Sequence, residues 1–212
     1  MNIFLLGATG KTGQQVLTQA QAAGHHITAF VRNPAKLSQS HENLTVIAGD
    51  ALNESAVEAA MQSAPFDAVI TTIGGDSLKN KGVCARSTAN VVAAMQKQHP
   101  EAHLWVVSSA GTGDSYNQLD FFGKVFVRTV IAGPIRDHTF QEQTVQNSRL
   151  NYTIVRPVSL TDNPASGGAY VVKAQGKMPS SRIPRVDVAH FIIHNLTGPA
   201  YQRTAVALSA SS

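Results

Sequence analysis

Residues 2–16 read NIFLLGATGKTGQQV: a continuous apolar run, three glycines, then the start of a helical pattern. An apolar strand that meets glycine and re-emerges as a helix is the opening of a strand–helix–strand unit. Two kinds of phosphate loop compete for it. The triphosphate loop GxxxxGK[ST], ending at Gly10, Lys11 and Thr12, requires glycine at position 5, where the chain has Leu5. No other strand ends in the apolar run plus Asp that would hold its magnesium. The dinucleotide loop fits instead. Gly7 makes the tight turn, Gly10 lets the backbone approach a pyrophosphate, and Gly13 lets the helix pack closely. The helix N-terminus then offers free N–H groups and a positive dipole end, with Lys11 and Thr12 beside the phosphates.

The rest of the chain repeats this unit. Strand-like runs at 26–32, 43–50, 66–75, 103–111 and 151–157 are separated by helical stretches at 11–23, about 83–98 and about 135–148. The runs are continuous rather than alternating, so helices are expected on both faces. The prediction is an α/β fold of Rossmann type, doubly wound, with a mostly parallel sheet. After Pro157 the texture changes. Residues 160–170 are turn-rich, 169–183 suggest a short strand and a loop, and 186–196 read as a helix. Residues 204–210 read as the strand that closes the sheet. The whole is expected to be one domain, with 1–157 as cofactor core and 158–212 as a small substrate-side region.

The second strand ends Phe30-Val31-Arg32-Asn33, without the carboxylate that usually takes the ribose hydroxyls of NAD. Arg32 can instead grip a 2′-phosphate through its fork of donors, with Lys36 in reach. The alternative is a solvated surface arginine. The pattern predicts NADP(H).

Charge excludes other classes. The net charge is +4, with no basic run and no interleaved aromatics, which argues against nucleic acid. One cysteine, Cys84, fits a reducing, cytoplasmic setting, and no signal peptide is evident. Residues 121–135, FFGKVFVRTVIAGPI, are too short for a membrane span and carry Lys124 and Arg128. Phe122, Val125, Phe126, Thr129 and Val130 recur at helical spacing. We read them as a helix packed on the core, with an apolar lid over a flat substrate as the alternative.

The segments GATGKTGQ, VRNPAKL, GDALN and NYTIVRP resemble the atypical short-chain dehydrogenase/reductases of NmrA-like type. Residues 168–197 are similar to the flavin/biliverdin reductases within that group. The resemblance implies that the glycine loop, Thr9 included, binds NADP together with Arg32. It implies that Asp50 and Ala51 meet the adenine, that Thr72, Ile73, Gly74 and Gly75 line the cofactor by backbone, and that Ser108 and Ser109 lie at the nicotinamide end. Pro157, Val158 and Ser159 would pass the nicotinamide amide. Two departures stand out. The Tyr-x-x-x-Lys acid is missing, since Tyr116 is followed by Asp120, and Ser159 stands where the flavin/biliverdin reductases carry histidine.

The chemistry expected is hydride transfer from NADPH to a planar acceptor: flavin, quinone or a biliverdin-like tetrapyrrole. Ser109 is the first candidate donor near the acceptor, and His138 can donate a proton near neutral pH. For Ser108 and Ser109 the plainer alternative is that small residues make room for the cofactor; for His138 it is a structural or surface role. His190 and His194 have metal-ligand spacing without a third ligand, so no metal is expected. No GxSxG marks a hydrolase. The competing reading is a non-catalytic NADP(H) sensor acting on a protein partner. Sugar-nucleotide epimerase activity is a weaker alternative. Oligomeric state is left open.

Overall fold

The computed structural model describes residues 1–37, 41–74 and 82–211. Eight strands form one sheet in the order β3-β2-β1-β4-β5-β6-β10-β8. They are β1 (Asn2–Leu6), β2 (His26–Val31), β3 (Leu44–Ala48), β4 (Ala68–Thr71), β5 (His103–Val107), β6 (Asn151–Pro157), β8 (Tyr170–Lys173) and β10 (Thr204–Ala210). All pair in parallel except β8, which runs antiparallel to β10. A short parallel pair, β7 (Ser159–Thr161) with β9 (Arg182–Pro184), lies beside the main sheet. The last strand was expected to close the sheet; β10 instead inserts between β6 and β8, and β8 is the edge.

The continuous apolar runs serve two cores. On β1, Ile3 and Leu5 face α1 (Lys11–Ala22) and α6 (Arg185–His194), meeting Val16, Leu17, Phe191 and Ile192. Phe4 and Leu6 face the other way, toward Met61 of α2 (Glu54–Met61), Val91 and Met95 of α3 (Val83–Gln98) and Val145 of α5 (Ala132–Gln146). The period-two alternation of strand side chains divides one apolar run between both faces. Edge strand β3 departs from this: Thr45, Val46 and Ala48 are exposed, because the helical layers end before reaching it.

Sequence reading passed over α2, although Asn53 marks its start by accepting the Ala56 N–H at 3.1 Å. The segment after β5 also differs. It forms a 3₁₀ segment Gly113–Gln118, then α4 (Phe121–Thr129), then α5 from Ala132. Pro134 falls in the first turn of α5, where its missing N–H has no intrahelical partner to lose. Helix α4 is not packed on the core as expected. Phe121 and Phe122 are 75% and 80% exposed, and Val127 is the one residue of α4 that is buried.

The strand order turns at β1: the chain runs outward through β2 and β3, then crosses to β4 on the other side. Loops leaving the carboxyl ends of β1 and β4 therefore diverge and leave a crevice, the usual ligand position of such sheets.

Candidate active site

Two cavities open along this crevice and share Thr72, Ile73 and Gly74. The narrower, about 290 Å³, is lined by Gly7, Thr9, Gly10, Arg32, Lys36, Asp50 and Ala51. The wider, about 700 Å³, takes its walls from Thr12, Ser108, Ser109, His138 and Pro157 to Ser159. Most residues singled out in the sequence thus converge on one continuous trough. Gly75 lies outside the described residues.

The glycine loop is built by contacts that leave no space for a side chain. Gly7 has φ +83°, and a Cβ there would stand 2.6 Å from Thr72 Oγ1. A Cβ on Gly13 would stand 2.1 Å from the Gly7 carbonyl oxygen. Gly13 thus lets α1 close on the loop itself. Gly10 caps α1 without any side-chain hydrogen bond, so the first N–H groups of the helix are not taken by a cap side chain. Thr72 fastens the β4 exit to β1, its Oγ1 donating to the Leu6 carbonyl at 3.1 Å.

Arg32 and Lys36 are exposed at the mouth of the narrow cavity, and their side chains make no hydrogen bond or ion pair among the described residues. Asp50 accepts the Leu52 N–H at 3.0 Å, which shapes its own turn. The floor beside it is the Phe30 ring, which a Cβ on Gly49 would meet at 2.3 Å. Lys11 is the one glycine-loop donor that points elsewhere. Its Nζ pairs with Asp162 Oδ2 at 2.5 Å, and Asp162 also takes Arg185. These two cations hold the Asp162 carboxyl below the usual range, the Lys11 hydrogen bond foremost. Spacing does not show this, because Asp162 lies far along the chain.

At the wide end, Ser108 is 5% exposed and its Oγ lies 2.6 Å from Glu142 Oε1. Glu142 is also gripped by Arg156, through Nε at 3.0 Å and a second nitrogen at 2.7 Å. Arg156 reaches Asp114 at 2.6 Å as well. Burial alone would lower the Arg156 pKa, but its hydrogen bonds and Coulombic attraction to both carboxylates outweigh this and raise it. A carboxylate so paired only accepts, so the single hydrogen of Ser108 goes to Glu142. Toward the cavity Ser108 offers lone pairs. Sequence reasoning missed Glu142 and Arg156; the RP of NYTIVRP was visible, but not its partner on α5.

Ser109 Oγ donates weakly to the Ala110 carbonyl, at 3.2 Å, within the cavity wall. His138 lies on α5 and faces the cavity, its Nδ1 2.7 Å from Gln141 Oε1. Gln141 donates its Nε2 to Thr88 Oγ1 at 3.0 Å, so its oxygen accepts the His138 Nδ1–H. The other imidazole nitrogen is left to accept when neutral and to donate when protonated. Neighbouring Asp137 turns away and accepts the Cys84 and Ala85 N–H groups at 2.9 Å, capping α3. Buried Cys84 points its sulfur at the Ile73 carbonyl. Tyr116 does not line either cavity; Lys124 and Arg128 lie over its ring at 5.6 and 5.4 Å. His190 and His194 stack on each other, and His190 is hydrogen-bonded to Tyr170.

The family model for NAD(P)H-binding proteins matches residues 7–199. The chain belongs to this NAD(P)H-binding family. Its fold is that of the atypical short-chain dehydrogenase/reductases, as the resemblance implied. Among solved structures it is similar to ChuY, an anaerobillin reductase of Escherichia coli, with 27% identity and a TM-score of 0.84 over 99% of this chain and 97% of that one. A short-chain dehydrogenase/reductase of Veillonella parvula, solved in complex with NADP, shares the fold at 22% identity, with a TM-score of 0.79 over 98% and 94%. An uncharacterized chloroplastic protein of Arabidopsis thaliana is 28% identical over 205 residues, 92% of this chain and 71% of that protein. No helix among the described residues is long and apolar enough to cross a membrane.

Proposed function

We propose that the chain is an NADPH-dependent reductase that delivers hydride to a planar, conjugated acceptor such as a flavin, a quinone or a biliverdin-like tetrapyrrole. The observation that carries this reading is the joining of the two cavities at Thr72 to Gly74. A narrow, cation-rimmed cleft runs into a wide one whose walls mix apolar side chains, Phe126, Val127, Ile131 and Leu160 among them, with hydroxyls and His138.

The residues fit the cofactor. The close contacts at Gly7 and Gly13 leave a backbone cradle at the α1 N-terminus suited to a pyrophosphate. Arg32 and Lys36 would hold the 2′-phosphate, with Asp50 and Ala51 at the adenine and Thr72, Ile73 and Gly74 along the middle. Ser108 and Pro157 to Ser159 would flank the nicotinamide. NADPH, when bound, supplies the hydride. The chain's own work is to hold two flat rings face to face, exclude water and place a proton source. His138, in its protonated form, is the proton donor we assign, with Ser109 as a hydrogen-bond donor to the acceptor. Helix α4 contributes Phe126 and Val127 to the wall of the wide cavity, where it would serve as the lid raised as an alternative by its sequence. The anaerobillin reductase among the similar structures supports a tetrapyrrole-like acceptor.

The sensor reading is favoured by one observation: Tyr116, the tyrosine that follows β5, is stacked under cations outside both cavities. The same absence of a tyrosine acid argues against epimerase chemistry. The deciding experiment follows absorbance at 340 nm with NADPH or NADH and FMN, quinones or biliverdin, with cofactor binding measured by calorimetry. Acceptor-dependent oxidation, faster with NADPH, supports the reductase. Tight NADPH binding with no oxidation across the panel supports the sensor.

A further inference from the structure

Six of the seven exposed large apolar side chains among the described residues lie within 121–140: Phe121, Phe122, Val125, Phe126, Val130 and Phe140. The seventh is Val46. Exposed apolar groups are normally scattered singly, so a concentration of this kind marks a surface that meets something. On α4 they share one side. Phe122, Phe126 and Val130 recur every fourth residue, and Phe121 and Val125 form the next row. Val127 points the other way, buried, in the wall of the wide cavity. Phe140 lies on α5, which contacts α4. The cations of the segment border this face. Lys124 and Arg128, one turn apart, lie over the Tyr116 ring at 5.6 and 5.4 Å, and Arg136 lies over the Phe140 ring at 5.7 Å. The one acid within 121–140 is Asp137, which is buried and accepts N–H groups at the start of α3. Asp120, just before the segment, caps α4 by accepting the Gly123 N–H at 2.7 Å.

Exposed aromatic rings bordered by cations, with no exposed acid among them, complement a surface that is apolar below and anionic above. A bilayer of anionic lipids has that layering. A second copy of the chain fits less well. A symmetric pair would set the same face against itself and bring its cations together with no carboxylate between them. We propose that the α4 face is a docking surface for an anionic lipid bilayer. Phe121 and Phe122 enter the boundary between headgroups and acyl chains, and Lys124, Arg128 and Arg136 meet the headgroups. A helix of 9 residues cannot span the bilayer and lies in the plane of its surface. Phe126 belongs both to this face and to the wall of the wide cavity, so a docked chain holds that wall against the lipid. Docking does not depend on which acceptor the cavity takes.

The test sediments the full chain with vesicles of mixed phosphatidylcholine and phosphatidylserine, and with vesicles of phosphatidylcholine alone. Three proteins are compared: wild type, Phe121→Ser with Phe122→Ser, and Arg128→Gln with Arg136→Gln. Wild type should partition onto the mixed vesicles at least about tenfold better than onto phosphatidylcholine, and salt at about 0.5 M should remove most of that preference. Each double variant should lose at least about tenfold on the mixed vesicles. All four substituted side chains belong to exposed residues and line neither cavity, so the melting temperature should be unchanged. Should one double variant fail to fold, the other is held to the same outcome. A serine variant that binds as well as wild type overturns the assignment, since net charge alone would then carry adsorption. Equal partition of wild type onto both kinds of vesicle overturns it, and so does no partition onto either. A wild type that ignores both vesicles but sediments as a dimer, which the serine variant splits, overturns it in favour of a second copy on the same face.

Discussion

Ser108 gives its hydroxyl hydrogen to Glu142 at 2.6 Å, and Glu142 is held by Arg156 in a bidentate pair with both side chains almost wholly buried. The pair ties α5 to β6 beneath the wide cavity and fixes which way Ser108 faces. Glu142→Gln leaves the Arg156 charge buried with only Asp114, which is 72% exposed. The expected cost is about 3–5 kcal/mol of unfolding free energy. Replacing both partners, Glu142→Leu with Arg156→Met, should restore most of it, because no uncompensated charge is left. Urea unfolding of the three proteins measures this. A double variant as unstable as the single one would show that charge imbalance is not the cause.

Arg32 stands at the mouth of the narrow cavity without a protein partner among the described residues, free to meet a phosphate. Arg32→Glu removes a charge-assisted contact and adds repulsion. NADPH affinity should fall by about 2–4 kcal/mol, roughly 30- to 1000-fold. NADH affinity should stay within about threefold, having no 2′-phosphate to lose. Calorimetry with both cofactors is the measurement, and an equal loss for both would refute the 2′-phosphate assignment.

Helix α4 separates exposure from a part in the acceptor site. Phe122 is 80% exposed and lines neither cavity, so Phe122→Ser should change stability by less than about 0.5 kcal/mol. Phe126 is 47% exposed and stands in the wall of the wide cavity. Phe126→Ala should raise the KM for a planar acceptor about five- to twentyfold, as lost apolar contact in a pocket does, and leave NADPH binding alone. Steady-state kinetics on both variants would show the contrast; an unchanged KM in Phe126→Ala would remove α4 from the acceptor site.

The legible parts of this protein were those where chemistry demands one residue type at one place. Gly7 and Gly13 could be placed because no side chain fits where they lie, and Arg32 could be placed at the narrow cavity because the end of β2 is a fixed address in such sheets. The illegible parts depend on partners distant in the chain. Nothing around Lys11 announces Asp162. The apolar spacing of α4 is the same for a core helix and for a lid, so only its placement decides between them. Residues 204–210 read correctly as a strand, yet their insertion between β6 and β8 is a matter of pairing order, which periodicity does not encode.

His103 makes the fold sensitive to acid. Its ring stacks on Trp105 at 5.0 Å, and its Nε2 lies 2.8 Å from Thr153 Oγ1. Thr153 already donates to the Tyr201 carbonyl at 2.7 Å, so its oxygen accepts the imidazole N–H. Burial lowers the His103 pKa to about 4. A base with a depressed folded-state pKa is neutral in the fold, while the unfolded chain takes up a proton below its ordinary value near 6.5. Stability from this residue is therefore complete above about pH 6.5 and declines as pH falls toward 4. Allowing for its partial exposure, the decline should amount to about 1–2 kcal/mol. Urea unfolding at pH 7.5 and pH 4.5 should show it, and His103→Asn, which cannot take up that proton, should flatten the difference by the same amount. A variant with the full acid sensitivity of the wild type would mean that other groups carry it.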